Sequence, residues 1–395
     1  MKNFLEKVDN FINKSLQNKY DKYIIMLSLF VIGIMCGIYF NAIGDMDSMV
    51  AKEKIDIMLS NYYKDVELDD KKINDLYIEA VARSLGDDYT FYSYGDEAKE
   101  ISENLSGRIC GIGVTASAHS TGGLEVIDVF TESPAEKAGL QKGDVIISVD
   151  GDNILTLTQD QAIGKIKGEE NTYVSLIVLR GTDEKHFDIK RESIEIPDVT
   201  SEMFGDYGYI RISAFSENAD EQFHREIKKM KTAKGLVIDL RYNGGGLLDT
   251  VKAIADDLMD DDILITVEYK DKEDEVIRLT DGKEIDVPII LLVNQYTASA
   301  SEVLAGSLRD NLDCEIVGTT TYGKGIICTY IEYKDGTAMS VSNGEYVLPY
   351  GQHINKVGIK PDYEYPEQYE EGWEIEDMQL SFAISQLKLN ERQVR

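Results

Sequence analysis

Five consecutive apolar residues, Ile289 to Val293, read as a strand buried on both faces, and the strand ends at Asn294. The next thirty residues limit the fold further. A small-residue segment, Thr297-Ala-Ser-Ala-Ser301, leads into a helical pattern from Glu302 to Leu308. A second strand, Glu315 to Gly318, then precedes a lysine between two glycines, Gly323-Lys324-Gly325. Strand, turn, helix and strand in this order call for a sheet with covering helices. A hydroxyl at the strand-to-helix turn, with a lysine on a nearby glycine loop, is the layout of a serine–lysine hydrolase.

The chemistry sets conditions on both residues. A serine hydroxyl is a poor nucleophile until a base takes its proton. Lysine does so only when neutral, so its reference pKa of about 10.4 must fall by roughly three units, about 4 kcal/mol of differential interaction. The neighbours of Lys324 suit this, with small glycines on both sides and then Ile326 and Ile327. The four histidines (His119, His186, His224, His353) are scattered and neighbour no candidate nucleophile, which tilts the reading away from a Ser–His–Asp triad. The tetrahedral intermediate also needs N–H donors. Gly244-Gly-Gly246, at a strand-to-helix junction, presents amides with no Cβ in the way, and the amide of Ala300 is the natural second donor.

Upstream, the pattern from Tyr207 alternates strand and helix. Tyr207 to Ile212 and Gly235 to Leu240 are strands, Asn218 to Met230 and Leu247 to Met259 are helices, and strands at 262–269 and 275–279 precede the apolar run at 289–293. A closing helix runs from Asp377 to Leu389. Residues 107–192 have a different character. Gly111-Ile-Gly-Val114, a strand from Leu124 to Val129, the short capped helix in Ser133-Pro-Ala-Glu-Lys-Ala-Gly-Leu140, and Gly143-Asp-Val-Ile-Ile-Ser-Val149 with an Asp150-Gly151 turn succeed one another. A helix from Gln159 to Ile166 and a strand from Thr172 to Arg180 complete this segment, which resembles a PDZ domain. The resemblance implies β-augmentation: backbone N–H groups of Gly111, Ile112, Gly113 and Val114 hold a terminal carboxylate, and the adjoining edge pairs with an extended peptide.

The N-terminal part reads separately. Residues 1–22 carry five lysines against three acids, and Tyr23 to Phe40 form a run of 18 residues without a charge. Such a run spans ~27 Å, close to the hydrocarbon thickness of a bilayer. The run exceeds a usual signal-peptide core and lacks a clear A-x-A site. The lysine bias puts 1–22 in the cytoplasm, 23–43 across the cell membrane as a single-pass signal anchor, and the rest, catalytic domain included, outside the cytoplasm. Residues 44–106 form a helical region. There Ile73, Leu76, Tyr77, Ala80, Val81 and Leu85 make an apolar stripe that packs inward or, if exposed, makes a homodimer contact.

With 395 residues, 43% of them hydrophobic, two or three domains are expected, and a formal charge of −31 argues against a nucleic-acid partner. The four cysteines show no CxxC pair and no His/Cys cluster at metal spacing, so neither a metal nor another cofactor is expected.

Over nearly its whole length the chain resembles the C-terminal processing peptidases, the tail-specific serine proteases. The matching stretches are SLGDDYTFYSY, GRICGIGV, the PDZ segment, GYIRISAF, GLVIDLRYNGGG, ILLVNQYTASASEVLAGSLRD, VGTTTYGKG and GIKPD. The resemblance implies a multidomain α+β protein: a transmembrane helix, a helical segment, a PDZ β-barrel-like module, and an α/β core of ClpP/crotonase type at 193–395. It implies a serine endopeptidase that recognises exposed protein C-termini. It assigns the nucleophile to Ser299, with Ser301 the alternative, the base to Lys324, 25 residues on, the oxyanion loop to Gly245 and Ala300, and a supporting aspartate to Asp310. Two departures stand out. Gly244 replaces the proline of the oxyanion loop, and Cys328 stands where many relatives carry a lysine-orienting glutamine. The second supports a competing reading, a PDZ adaptor without turnover; Cys328 as nucleophile would lack a paired histidine.

Overall fold

The computed structural model describes residues 52–62, 68–280, 282–366 and 377–394. The expected cytoplasmic tail at 1–22 and membrane anchor at 23–43 lie outside them. Among the described residues no helix is long and apolar enough to cross a membrane. The chain divides into two compact units, Met1–Asn74 and Asp75–Arg395. In the first, residues 52–61 are helical, and Lys52 Nζ meets Asp70 Oδ1 at 2.8 Å.

The second unit is organised by a six-stranded sheet in the order Val199–Phe204, Tyr207–Ile212, Leu236–Asp239, Ile289–Val293, Glu315–Gly318, Tyr363–Glu364. The first pair is antiparallel and the remaining pairs are parallel. The run at 289–293 sits near the middle, and all five residues are buried. Alternation divides them. Ile289, Leu291 and Val293 enter the core beneath the helices Ala219–Lys229, Leu248–Asp256 and Ala300–Leu312, whereas Ile290 and Leu292 face Leu380, Ala383 and Leu387 of the closing helix Met378–Val394. A strand covered on both faces has no polar side to show, which is why its sequence does not alternate.

A second sheet stands beside this one. Its central strand, Ala338–Val347, pairs along one edge with Ile326–Glu332 and along the other with Phe91–Ser93 and Ile263–Tyr269. The PDZ-like segment has its own core, built on Ile112, Leu124, Ile146, Leu176 and Ile189. Its sheet begins with the edge strand Val114–Ala118. Ser133 caps the helix Pro134–Ala138 by accepting from the Glu136 amide, and Gly139 ends it at φ 88°. A two-stranded ribbon, Arg108–Gly111 with Glu192–Glu195, closes the base of this module.

The inward-packing expectation for the helix Asp70–Ser84 fails. Asp75 and Ala82 are its buried residues, while Leu76, Tyr77, Val81 and Leu85 are between 42% and 67% exposed. Asp75 is buried because it accepts from the Tyr92 hydroxyl at 2.8 Å, so a polar contact fixes the helix face that periodicity alone would have turned outward.

The central strand sets a stability test. Leu291 is fully buried between sheet and helices, so Leu291→Ala is expected to lower unfolding free energy by ~2–5 kcal/mol, read as a reduced urea midpoint at unchanged m-value.

Candidate active site

The turn after Ile289–Val293 is held by its own polar side chains. Asn294 Oδ1 accepts the amides of Tyr242 and Tyr296, both at 3.1 Å. The Thr297 hydroxyl donates to the Leu240 carbonyl at 2.8 Å and accepts from the Asn294 amide, and Thr297 is fully buried. Ser301, also fully buried, donates to the Asn243 carbonyl at 3.0 Å. Of the three hydroxyls in the segment, two are therefore structural, and Ser299 is the one that lines a cavity. Its backbone sits at φ 56°, ψ −121°, a conformation costly for a residue with a side chain.

Glu302, in the first turn of the helix Ala300–Leu312, holds that conformation. Its fully buried carboxylate accepts from the Ser299 amide at 2.9 Å, the Thr321 hydroxyl at 2.5 Å, and the amides of Gly323 and Lys324, both at 2.8 Å. Burial pushes the Glu302 carboxyl above its ordinary value, and the four donors pull the other way. Three of those donors are amides that can only give a proton, and each of them favours the carboxylate. The lysine loop is clamped from outside as well. Gly323 lies at φ 86°, where a Cβ would come 2.8 Å from the Gly358 amide, and the Lys356 amide donates to the Gly323 carbonyl at 2.7 Å.

Ser299 and Lys324 thus face one cavity of about 460 Å3. Its remaining lining is mostly apolar: Leu247, Leu248 and Val303 from the helical side, Ile326, Ile327 and Tyr330 from the second sheet, and Phe91, Ile101 and Leu105 from the N-terminal part of the unit. Among the described residues no histidine lines it. Tyr346 joins the two catalytic candidates: its buried phenol, raised well above its ordinary value by burial, donates to the Lys324 carbonyl and faces the Ser299 hydroxyl. Lys324 Nζ stands 4.5 Å from the centroid of the Tyr89 ring. No hydrogen bond joins it to Ser299 Oγ among the described residues, as is common for catalytic pairs before substrate binds.

The glycine loop expected to supply oxyanion donors lies against the Ser299 turn, since a Cβ on Gly245 (φ 107°) would be 2.9 Å from Ser299 Cβ and 3.1 Å from the Ala300 nitrogen. The two expected donors differ. Ala300, first in the helix Ala300–Leu312, has its amide at the positive end of the helix dipole. The Gly245 amide instead donates to Asn243 Oδ1 at 2.9 Å, and the cavity is lined by Gly244 and Gly246. With glycine at position 244, this peptide has freedom to turn. The base of the loop is fixed by Arg241, whose guanidinium donates to Asp239 at 2.6 Å, to Asp377 at 2.5 Å and to Gln379 at 2.8 Å. Burial disfavours the cation, yet the two carboxylates hold Arg241 well above its usual range.

Asp310 is not brought to the cavity. Eleven residues past Ser299, or ~16 Å along a helix, it accepts from Arg309 at 2.8 Å and from the Tyr350 amide at 3.1 Å. Cys328 does line the cavity, with Sγ 3.7 Å from Ser342 Oγ and 4.0 Å from the Tyr89 carbonyl. In the PDZ-like module, the Ile112 and Gly113 carbonyls accept from Ala135 and Phe130, and a Cβ on Gly113 (φ 82°) would strike Ser133 at 2.3 Å. Sequence reasoning missed Glu302, Tyr89 and Tyr346; the first two stand inside family-like motifs but have no role legible there. The fold also gathers His224, Asp257 and Glu284, which no sequence spacing announces. There His224 pairs with Asp257 at 3.1 Å, and Lys231 with Glu284 at 3.2 Å.

Comparison with known proteins places this geometry. Residues 206–365 match peptidase family S41, and residues 125–180 match the PDZ domain. A probable CtpA-like serine protease of Staphylococcus aureus (strain COL) is 34% identical over 313 residues, covering 78% of this chain. One from Staphylococcus haemolyticus (strain JCSC1435) is 32% identical over 308 residues, covering 77% of this chain. The chain spans 62% of the length of each of these relatives. A putative S41 protease from Bacteroides fragilis shares the fold at TM-score 0.53 and 18% identity, over 79% of this chain and 90% of that one.

The Glu302 network generates a test. In Glu302→Gln one acceptor oxygen becomes a donor and confronts two of the four donors. The variant is expected to lose ~2–4 kcal/mol of stability by chemical denaturation and at least about tenfold in peptide hydrolysis.

Proposed function

We propose that this chain, with its S41 peptidase match at 206–365 and its PDZ match at 125–180, is a C-terminal processing peptidase, a serine endopeptidase that cleaves polypeptides held by their C-termini. One observation carries the reading: Ser299 and Lys324 line one cavity and are pinned by the same carboxylate, Glu302. Lys324, as the neutral amine, takes the proton of Ser299 Oγ, and the oxygen attacks the scissile carbonyl. The Ala300 amide supplies one oxyanion donor, and rotation of the Gly244–Gly245 peptide away from Asn243 supplies the second. The ammonium then protonates the leaving amine, and water repeats the cycle on the acyl-enzyme. The apolar walls favour an apolar side chain next to the scissile bond and exclude water from the lysine. The open edge of Val114–Ala118, beside the Gly111–Val114 loop, accommodates the substrate tail.

The competing reading is a PDZ adaptor without turnover. Cys328 in place of an amide, and the Gly245 N–H engaged by Asn243, are what favour it. Purified Ser299→Ala and Lys324→Ala are each expected to lose more than about 10³-fold in hydrolysis of a peptide with a disordered, free C-terminus, with an unchanged melting temperature. Amidating that C-terminus is expected to weaken binding by about tenfold. Full activity in either variant would remove the assignment. Binding without turnover by the parent, with turnover appearing in Cys328→Gln, would favour the adaptor.

The uncharged run at 23–40 supports a single-pass membrane anchor with 1–22 cytoplasmic and the catalytic unit on the other side. The exposed Leu76, Tyr77, Val81 and Leu85 support a second copy of the chain as a partner. Native membranes washed in alkaline carbonate should retain the protein, and light scattering after detergent extraction should report two chains per particle. Release into the wash would exclude the anchor, and a one-chain mass the dimer.

A further inference from the structure

The cation of Lys324 has a partner that the dyad does not account for. Its Nζ lies 4.5 Å from the centroid of the Tyr89 ring, within the range in which a ring face attracts an ammonium. The ring is itself fixed. Tyr89 precedes the strand Phe91–Ser93, and the Ser342 amide donates to the Thr90 hydroxyl at 3.0 Å while that hydroxyl donates to Asp87 at 2.5 Å. Cys328 Sγ lies between the Ser342 hydroxyl and the Tyr89 carbonyl, at 3.7 and 4.0 Å. A sulfur there offers Lys324 no useful acceptor.

We propose that Tyr89 is the positioning residue for Lys324, its ring face holding the amine beside the cavity in the place where a side-chain amide would otherwise orient it. The inference rests on the endopeptidase reading of the same site. Its sign is distinctive, because a ring face attracts the ammonium and is nearly indifferent to the free amine. Tyr89 therefore aligns the lysine while favouring its ammonium form, a mark that a ring serving only to fill space would not leave. The titratable groups facing this contact are Glu302 from the helix Ala300–Leu312, Tyr346 and Cys328 from the second sheet, and Tyr322 and Asp88 beside Tyr89; both substitutions at Tyr89 remove its hydroxyl's hydrogen bond with Tyr322, and Tyr89→Phe reads the effect of that loss alone.

The full chain in detergent, as wild type, Tyr89→Phe and Tyr89→Leu, separates the outcomes. Tyr89→Phe keeps the ring face and should retain both the upfield ring-current shift of the Lys324 Hε protons (assigned with Lys324→Arg) and the acid limb of the pH–rate profile. Tyr89→Leu should lose that shift, lower kcat at least about tenfold with little change in KM, and move the acid limb to lower pH by about one unit. Loss of rate in Tyr89→Leu with an unmoved acid limb would overturn the proposal, and so would a Tyr89→Phe variant as impaired as Tyr89→Leu. The resonance needs no turnover. Wild type that shows the ring-current shift and no hydrolysis would therefore overturn the endopeptidase reading while leaving the Tyr89 contact observed.

Discussion

One buried carboxylate joins the two halves of the candidate site. Glu302 accepts from the Ser299 amide and from two consecutive amides of the lysine loop, segments 25 residues apart in the chain. A buried, ionised group tolerates its loss of solvation only when hydrogen bonds replace it, so every donor is obligatory. The strained φ of Ser299, the tight glycines around Lys324 and the placement of Thr321 are all consequences of satisfying that one group. Hydroxyl and amine are thereby brought to one cavity by backbone contacts rather than by touching each other.

The cavity draws on parts of the chain that a catalytic domain alone would not contain. Phe91 and the helix Gly95–Ser106 supply one apolar wall. The same helix is tied to the PDZ module, since Lys167, which caps the helix Gln159–Ile166, reaches Glu103 at 3.0 Å. A partly exposed ion pair of this kind contributes little to stability. Its significance is geometric: the helix beside the edge strand Val114–Ala118 and the helix that borders the cavity share a contact.

Much of this was legible in the residues. Period and punctuation placed the strands Leu124–Val129, Tyr207–Ile212 and Glu315–Gly318 and the helix Gln159–Ile166 at their observed bounds, because each is delimited by a turn or cap that acts locally. Ser299 and Ala300, which the sequence puts at one strand-to-helix turn, and Lys324, which it puts on a glycine loop, do line one cavity. The misses have another origin. Asp310 was expected at the site, but a helix carries it away at a fixed rise per residue, and its charge is consumed by Arg309. The Gly245 amide was expected to be free, but loop geometry turns it onto Asn243. Tyr89 reaches Lys324 across more than two hundred residues by pairing of Phe91–Ser93 with Ala338–Val347, a contact no local pattern encodes. Glu302 looked like an ordinary helical acid, because its burial is a property of the segments that arrive later to cover it.

That order of arrival bears on when the candidate site is complete. Ser299 is held in its unusual backbone conformation by a carboxylate whose other partners, Thr321, Gly323 and Lys324, come later in the polypeptide, and the tyrosine that seals them, Tyr346, later still. A chain that stops short of these segments therefore lacks the partners that hold Glu302 against the Ser299 amide. Glu302 gathers its full set of partners only once the chain extends past Lys324.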